Sequence, residues 1–220
     1  KLTPDERREL YPLIGVERVA EIFAYLDDAE PYLKELPIES AAKIVSEMDS
    51  DDAVDVLEEM DATTKHKIVG MLDKEASDDV RLLFSYDDDE IGSRMTTNFI
   101  MIHNHLTIRQ AMRELVEQAG ENDNISTIYV IDEEDKFYGA IDLKDLIIAR
   151  EYTDLEDIIS HSYPYVMDHE KVSDCIDKIR DYAEDSIPVL QENGTIAGII
   201  TSQDIVEAVD DEMGDDYAKL

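Results

Sequence analysis

The chain has 220 residues, which at roughly 150 residues per domain predicts two small domains rather than one minimal module. It carries 55 Asp and Glu against 20 Lys and Arg, a formal charge of -35. That charge excludes duplex nucleic acid and anionic membrane surfaces as favourable partners, because both are bound through cationic contacts. Hydrophobic residues make up 43%, enough for real cores. The single cysteine, Cys175, excludes an internal disulfide and fits a reducing compartment. No Cys/His zinc pattern occurs, and no stretch sustains the ~18 apolar residues of a membrane span. The sequence starts at Lys1 without a signal peptide and is read as a soluble piece of something larger.

The N-terminal stretch with Val16, Val19, Ile22, Phe23 and Leu26 predicts a helix ending near Pro31. After it the chain repeats. Apolar residues recur every 12 positions at Leu36, Met48, Met60, Leu72 and Phe84, and again at Ile44, Val56, Ile68 and Val80. A period of 12 suits one short helix plus a corner. Pro37 fits a first helical position, and Asp49, Asp61 and Asp73 stand where an N-cap acceptor is expected. Short helices in series give a small superhelix. Met48, Met60 and Met71 fit core spacing in it.

From Met95 onward, short β-branched strands alternate with amphipathic helices. Residues 125–131 (ISTIYVI), 137–141 (FYGAI) and a helix from Leu143 form one unit. Ser186–Leu190 (SIPVL), 195–200 (TIAGII) and a helix from Ser202 repeat it at an offset of 59, read from Gly139 to Gly198 and from Asp145 to Asp204. The upstream helices near Thr107 and Lys171 correspond at an offset near 64. The second half is therefore a strand-helix-strand-strand-helix tandem. His103 and His105, on a predicted strand end, read as surface residues, and Cys175 with Ile176 and Ile179 as core. No nucleophile-base constellation or phosphate-binding loop is visible, so an enzyme is not expected.

Residues 1–94 hold 26 acidic and 11 basic side chains, a net of -15, which leaves -20 for the remainder. Most of these acids solvate the surface. Asp51 and Asp52 sit in a first helical turn, where the dipole favours anions. Asp55 lies on the same face, where like charges cost roughly 0.2–0.5 kcal/mol per pair. A denser cluster follows: Asp204, Glu207, Asp211 and Asp215 step by three, four and four, with Glu212 and Asp216 alongside. From Asp204 to Asp216 there are seven acids and no Lys or Arg. Carboxylates opposed across an interface at about 4 Å would repel by about 4 kcal/mol at an effective dielectric of 20. A hard divalent cation would reverse that sign. Mg2+ keeps its waters and uses only one or two carboxylates, so scattered acids suit it, and no EF-hand pattern for Ca2+ appears.

The stretch Gly198-Ile-Ile-Thr201-Ser-Gln-Asp204 matches the CBS-domain signature, and the paired arrangement looks like a Bateman module. The helical array, then YDDDEIGSRMT at 86–96, the CBS pair and an acidic end at 215–220 (DDYAKL) together resemble the cytosolic part of MgtE-type magnesium channels. The resemblance implies an α+β multidomain chain: an all-α superhelical N domain (1–92), CBS domain 1 (93–152), CBS domain 2 (153–209) and the start of a connecting helix (210–220) leading to a transmembrane pore. It implies no catalysis, a homodimer through the CBS domains, and a place at the cytoplasmic face of the cell membrane. Carried over by residue, its Mg2+ ligands are Glu21, Asp51, Asp55, Asp204, Glu207, Glu212, Asp215 and Asp216; Glu21 rests on resemblance alone. Lys171, Ser173 and Ala183 stand where the family places further acids, and depart from it. The mechanism implied is a feedback gate, in which high internal Mg2+ draws the domains together and holds the pore shut. CBS pairs also bind adenosine nucleotides, which makes an adenine-nucleotide sensor the alternative. In the first copy Asp142 replaces the signature hydroxyl and would repel phosphate, Lys144 offsets it, and ATP is placed at Lys144 and Asp145.

Overall fold

The first helix, α1 (Pro4–Ile14), follows from local chemistry. Thr3 and Glu6 close a reciprocal capping box around its first turn, and Pro4 supplies the preset φ of a first helical residue. The structure is a computed structural model that describes residues 2–26, 28–120, 122–175 and 184–204. Its contacts divide into two units, Lys1–Ser85 and Tyr86–Leu220.

In the first unit α2 (Val16–Ala24) buries Val19, Ala20 and Phe23. It stops at Ala24, earlier than the predicted end near Pro31, and Pro31 instead lies in the first turn of the short α3 (Glu30–Leu33). Proline is tolerated there because a first-turn N–H has no helical partner to lose. Arg7 of α1 reaches over to Glu35, with Nε 3.0 Å from Oε2, and its guanidinium lies 5.1 Å from the centre of the Tyr32 ring.

Then the period of twelve appears as geometry: α4 (Ile38–Ser46), α5 (Ser50–Glu58), α6 (Ala62–Val69) and α7 (Lys74–Leu83) start at 38, 50, 62 and 74. Asp61 accepts from the Thr63 and Thr64 amides, and Asp73 from the Ala76 amide, as N-caps do. Pro37 stands one place before its predicted position, at the N-cap of α4. Alternate helices stack, α4 on α6 and α5 on α7, with α2 against both α4 and α5. Ile44, Val56, Ile68 and Val80 are all buried in that stack. Met60 joins them, whereas Met71 is 48% exposed and is not a core residue.

The second unit holds two three-stranded sheets built alike. In one, β1 (Ile100–His103) runs parallel to β2 (Thr127–Ile131), which pairs antiparallel with β3 (Phe137–Asp142). Helix α8 (Ile108–Gln118) links the first two strands, opened by a Thr107/Gln110 capping box, and α9 (Leu143–Ile148) follows the third. In the other sheet β4 (Val166–Met167), β5 (Ser186–Leu190) and β6 (Ile196–Thr201) repeat the order. Even the register irregularity recurs, at Val130/Ile131 and at Val189/Leu190. The backbone is helical at 172–175 and 202–204; the rest of the helices predicted from Lys171 and Ser202, with Ile176 and Ile179, falls outside the described residues.

One asymmetry has a covalent cause. β4 pairs over two residues and β1 over four. Pro164 and Pro188 occupy the second-copy positions of Ile100 and Tyr129, and each removes an amide donor from the ladder. The lead-in segments are exchanged between copies. Thr96 pairs with Ile199 of β6, while Ser160 pairs with Ala140 of β3. Tyr129, Ala140 and Ile199 form a small core with Phe99, Phe137 and Tyr163 against it. Tyr129 is fully buried, its hydroxyl is 2.6 Å from Ser186 Oγ, and burial pushes its pKa far above the ordinary tyrosine range.

Candidate functional site

The acidic residues of interest are set by two helix beginnings. In α5 the buried positions are Ser50, Ala53, Val54, Val56 and Leu57. The remaining residues of the helix, Asp51, Asp52, Asp55 and Glu58, are all carboxylates. Asp51 and Asp52 are half-buried in the first turn, where the helix dipole stabilises them, and Asp55 stands exposed one turn further along. Glu21 is exposed on α2, which packs against α5. The predicted ligands of the first unit therefore lie on two neighbouring helices.

In the second unit the CBS-like signature resolves into a helix cap. Asp204 Oδ2 accepts from the Thr201 amide at 2.7 Å, and Thr201 Oγ1 accepts from the Asp204 amide at 3.3 Å. This reciprocal pair is a capping box. In the first copy the substitution at the hydroxyl position changes the arrangement. Asp142 caps α9 alone, accepting from the Lys144 amide at 2.7 Å, and the exposed Asp145 makes no return bond to it. Lys144 is exposed beside it. Glu207, Glu212, Asp215 and Asp216 lie outside the described residues, as does Ala183. Among the described residues no three His, Cys, Asp or Glu side chains gather closely enough to enclose a metal ion. The donors that are described are all carboxylates, a hard oxygen set that fits Mg2+ held mainly by its own waters.

Sequence reasoning missed a third ionic region, around residues 86–94. Lys171 bonds Asp89 at 2.5 Å, and Asp89 raises its pKa. His169 Nδ1 lies 3.0 Å from Glu90 Oε1. Tyr86 donates to the buried Asp168 at 3.1 Å, and burial followed by that carboxylate pushes the phenol up to about 12. These pairs join residues about eighty positions apart, so no local spacing could reveal them. His103 and His105 stack at 5.2 Å at the end of β1, partly exposed as expected.

Comparison with known proteins is consistent over the whole chain. The family model described as the MgtE intracellular N domain matches residues 1–89, and that of the CBS domain matches residues 89–152 and 155–211. The magnesium transporter MgtE of Enterococcus faecalis is 32% identical over all of this chain and 49% of its own length. That of Bacillus subtilis is 31% identical over 82% of this chain and 40% of its own. The chain thus spans about half the length, or less, of the curated relatives it matches. A crystal structure of the soluble part of a magnesium transporter superposes with a TM-score of 0.90 at 32% identity, covering 96% of this chain and 84% of that one. The cytosolic domain of the Mg2+ channel MgtE in complex with ATP gives 0.84 at 28% identity, covering 94% and 85%. Among the described residues no helix is long and apolar enough to cross a membrane. Helical N domain, paired CBS folds and relatives that are transporters rather than enzymes agree, and the chain belongs to the MgtE family.

Proposed function

We propose that this chain is the Mg2+-sensing region of a magnesium transporter, at the cytoplasmic face of the cell membrane, and that internal Mg2+ closes an attached transmembrane pore by bridging its acidic faces. The ligands in this reading are Glu21, Asp51 and Asp55 in the N domain (1–92), Asp204 and Glu207 in the second CBS domain (153–209), and Glu212, Asp215 and Asp216 in the connecting helix (210–220). CBS domain 1 (93–152) completes the pair, and the pair forms a homodimer. What carries the reading is α5: every residue of that helix outside its buried face is a carboxylate. Such a face repels another acidic surface until cations lie between them.

Magnitudes are adequate. A site held tenfold above its dissociation constant adds about 1.4 kcal/mol to the binding state, so four give nearly 6. Moving a two-state equilibrium from 1:99 to 99:1 takes about 5.5 kcal/mol. Calorimetry with Mg2+ on the parent and on Asp51→Ala/Asp55→Ala tests the assignment. The reading expects weak multi-site binding that drops in the double variant; equal binding by both removes α5 from the sites.

A second reading is supported by Asp145. The Asp204 carboxylate is engaged in its helix cap, whereas Asp145 makes no such bond and stands exposed beside Lys144. The structural relative crystallised with ATP adds to this. ATP then binds the first CBS copy at Lys144 and Asp145, with the acid on the ribose. Loss of ATP binding in Asp145→Ala, with Mg2+ binding unchanged, is the expected result; retained ATP binding contradicts it.

A further inference from the structure

Residues 86–94 follow directly on Ser85, the last residue of the helical unit, and lie along the turn after β4. Three backbone hydrogen bonds hold them: Ile91 N to Glu170 O at 2.8 Å, Gly92 N to Asp168 O at 2.9 Å, and Val172 N to Asp89 O at 2.9 Å. The Tyr86 ring covers Gly92 so closely that a Cβ there would lie 2.8 Å from ring atoms. Two ionic contacts reinforce the seam, Lys171 with Asp89 and His169 with Glu90. Of these four side chains only the imidazole changes charge near neutral pH.

We infer that the His169–Glu90 contact is a proton-dependent clasp, which holds the connector 86–94 firmly on the second CBS copy when His169 is protonated and loosens it when His169 is neutral. The carboxylates facing His169 favour the cation, and partial burial opposes it to a smaller extent. Glu90 is in direct contact, Asp168 precedes it in the chain, Glu192 adds a further negative charge, and the Tyr86 ring stands edge-on at 5.3 Å. The nearby cation, Lys171, is engaged by Asp89. The hydrogen bond to Glu90 is the leading cause of a raised His169 pKa. The Glu90 side chain is only 15% exposed, so its carboxylate depends on the Asp87 amide, 3.0 Å away, and on His169.

The sign follows from linkage. A group whose pKa is higher folded than unfolded contributes fully below its unfolded pKa, and that contribution is lost as pH rises through the folded pKa. The His169 side chain is 61% exposed, so water and salt keep the effect small.

Amide hydrogen exchange at Ile91, Gly92 and Val172 tests it, in the 220-residue chain with chelator present, corrected for intrinsic rates, from about pH 5.5 to about pH 8.5. Imidazole NMR follows His169 in the same samples. Protection is expected to fall about two- to fivefold across the His169 titration, the size of an exposed ion pair. His169→Gln and Glu90→Gln should each flatten the profile. Protection that ignores pH in the parent, or an unaltered profile in either variant, overturns the clasp. Because Mg2+ is absent throughout, failure here is distinguishable from failure of the metal-bridging reading.

Discussion

Thr96 and Ile199 exchange both backbone hydrogen bonds, each 2.9 Å, although they belong to opposite copies of the repeat. Gly198 makes this possible. A Cβ on it would lie 2.7 Å from Met95 Sδ and 2.8 Å from the Thr96 carbonyl oxygen. Gly139 does the same in the first copy, 2.6 Å from Ile159 Cγ2 and 2.7 Å from the Ser160 carbonyl oxygen. The first letter of the CBS signature is therefore a requirement for close backbone approach.

Gly139→Ala and Gly198→Ala are each expected to destabilise the second unit by about 1–3 kcal/mol through overpacking against backbone that cannot yield. Gly120→Ala is the control, since the nearest atom to its Cβ is 3.9 Å away. Urea denaturation of the three variants checks the ranking.

The two hairpin turns place Asp135, with φ 59°, and Gly194, with φ 88°, at equivalent positions. Gly194→Ala should cost roughly 1–2 kcal/mol, because a side chain is disfavoured in that region. Asp135→Gly should gain no more than about 1 kcal/mol, since Asp tolerates the conformation better than most residues. Paired denaturation midpoints decide the signs.

Asp204 has a structural duty as well as a proposed one. Asp204→Asn keeps an acceptor for the Thr201 amide and removes the charge; Asp204→Ala removes both. The alanine variant should lose about 0.5–1 kcal/mol of stability relative to the asparagine variant. Both should weaken Mg2+ binding equally by calorimetry if the charge is what the ion needs.

Glu35 carries a pH dependence in the first unit. The hydrogen bond from Arg7 lowers its pKa below the ordinary glutamate range. A depressed folded pKa contributes stability that is present above the unfolded value and lost as pH falls through the folded one. Thermal unfolding should therefore show the helical unit weakening on acidification, and Glu35→Gln should blunt that slope.

Repetition made much of this molecule legible. A step of twelve placed the starts of α4 to α7, and an offset of 59 aligned the second and third strands of the two sheets, which share even their register irregularity. Where repetition stopped, so did legibility. Thr3, Pro4 and Glu6 carry a complete local signal for α1, but it lies outside the array and no repeat marks it. The early end of α2 was hidden because Val16, Ile22 and Leu26 continue an apolar pattern although Val16 and Ile22 are substantially exposed. The shortness of β4 was readable in Pro164 and Pro188 once the copies were aligned. The Tyr86–Asp168 and His169–Glu90 contacts were not, because contacts between distant positions depend on the tertiary fold. Of the site, the acidic spacing on α5 was legible, whereas the engagement of Asp204 in its own helix cap was not.

Small-angle scattering of the 220-residue chain in chelator and in millimolar-range Mg2+, alongside Asp51→Ala/Asp55→Ala, is the most direct measurement of cation bridging. The account predicts a smaller radius of gyration with Mg2+ in the parent and a metal-independent, expanded profile in the double variant. Superimposable parent curves with and without the ion would contradict it.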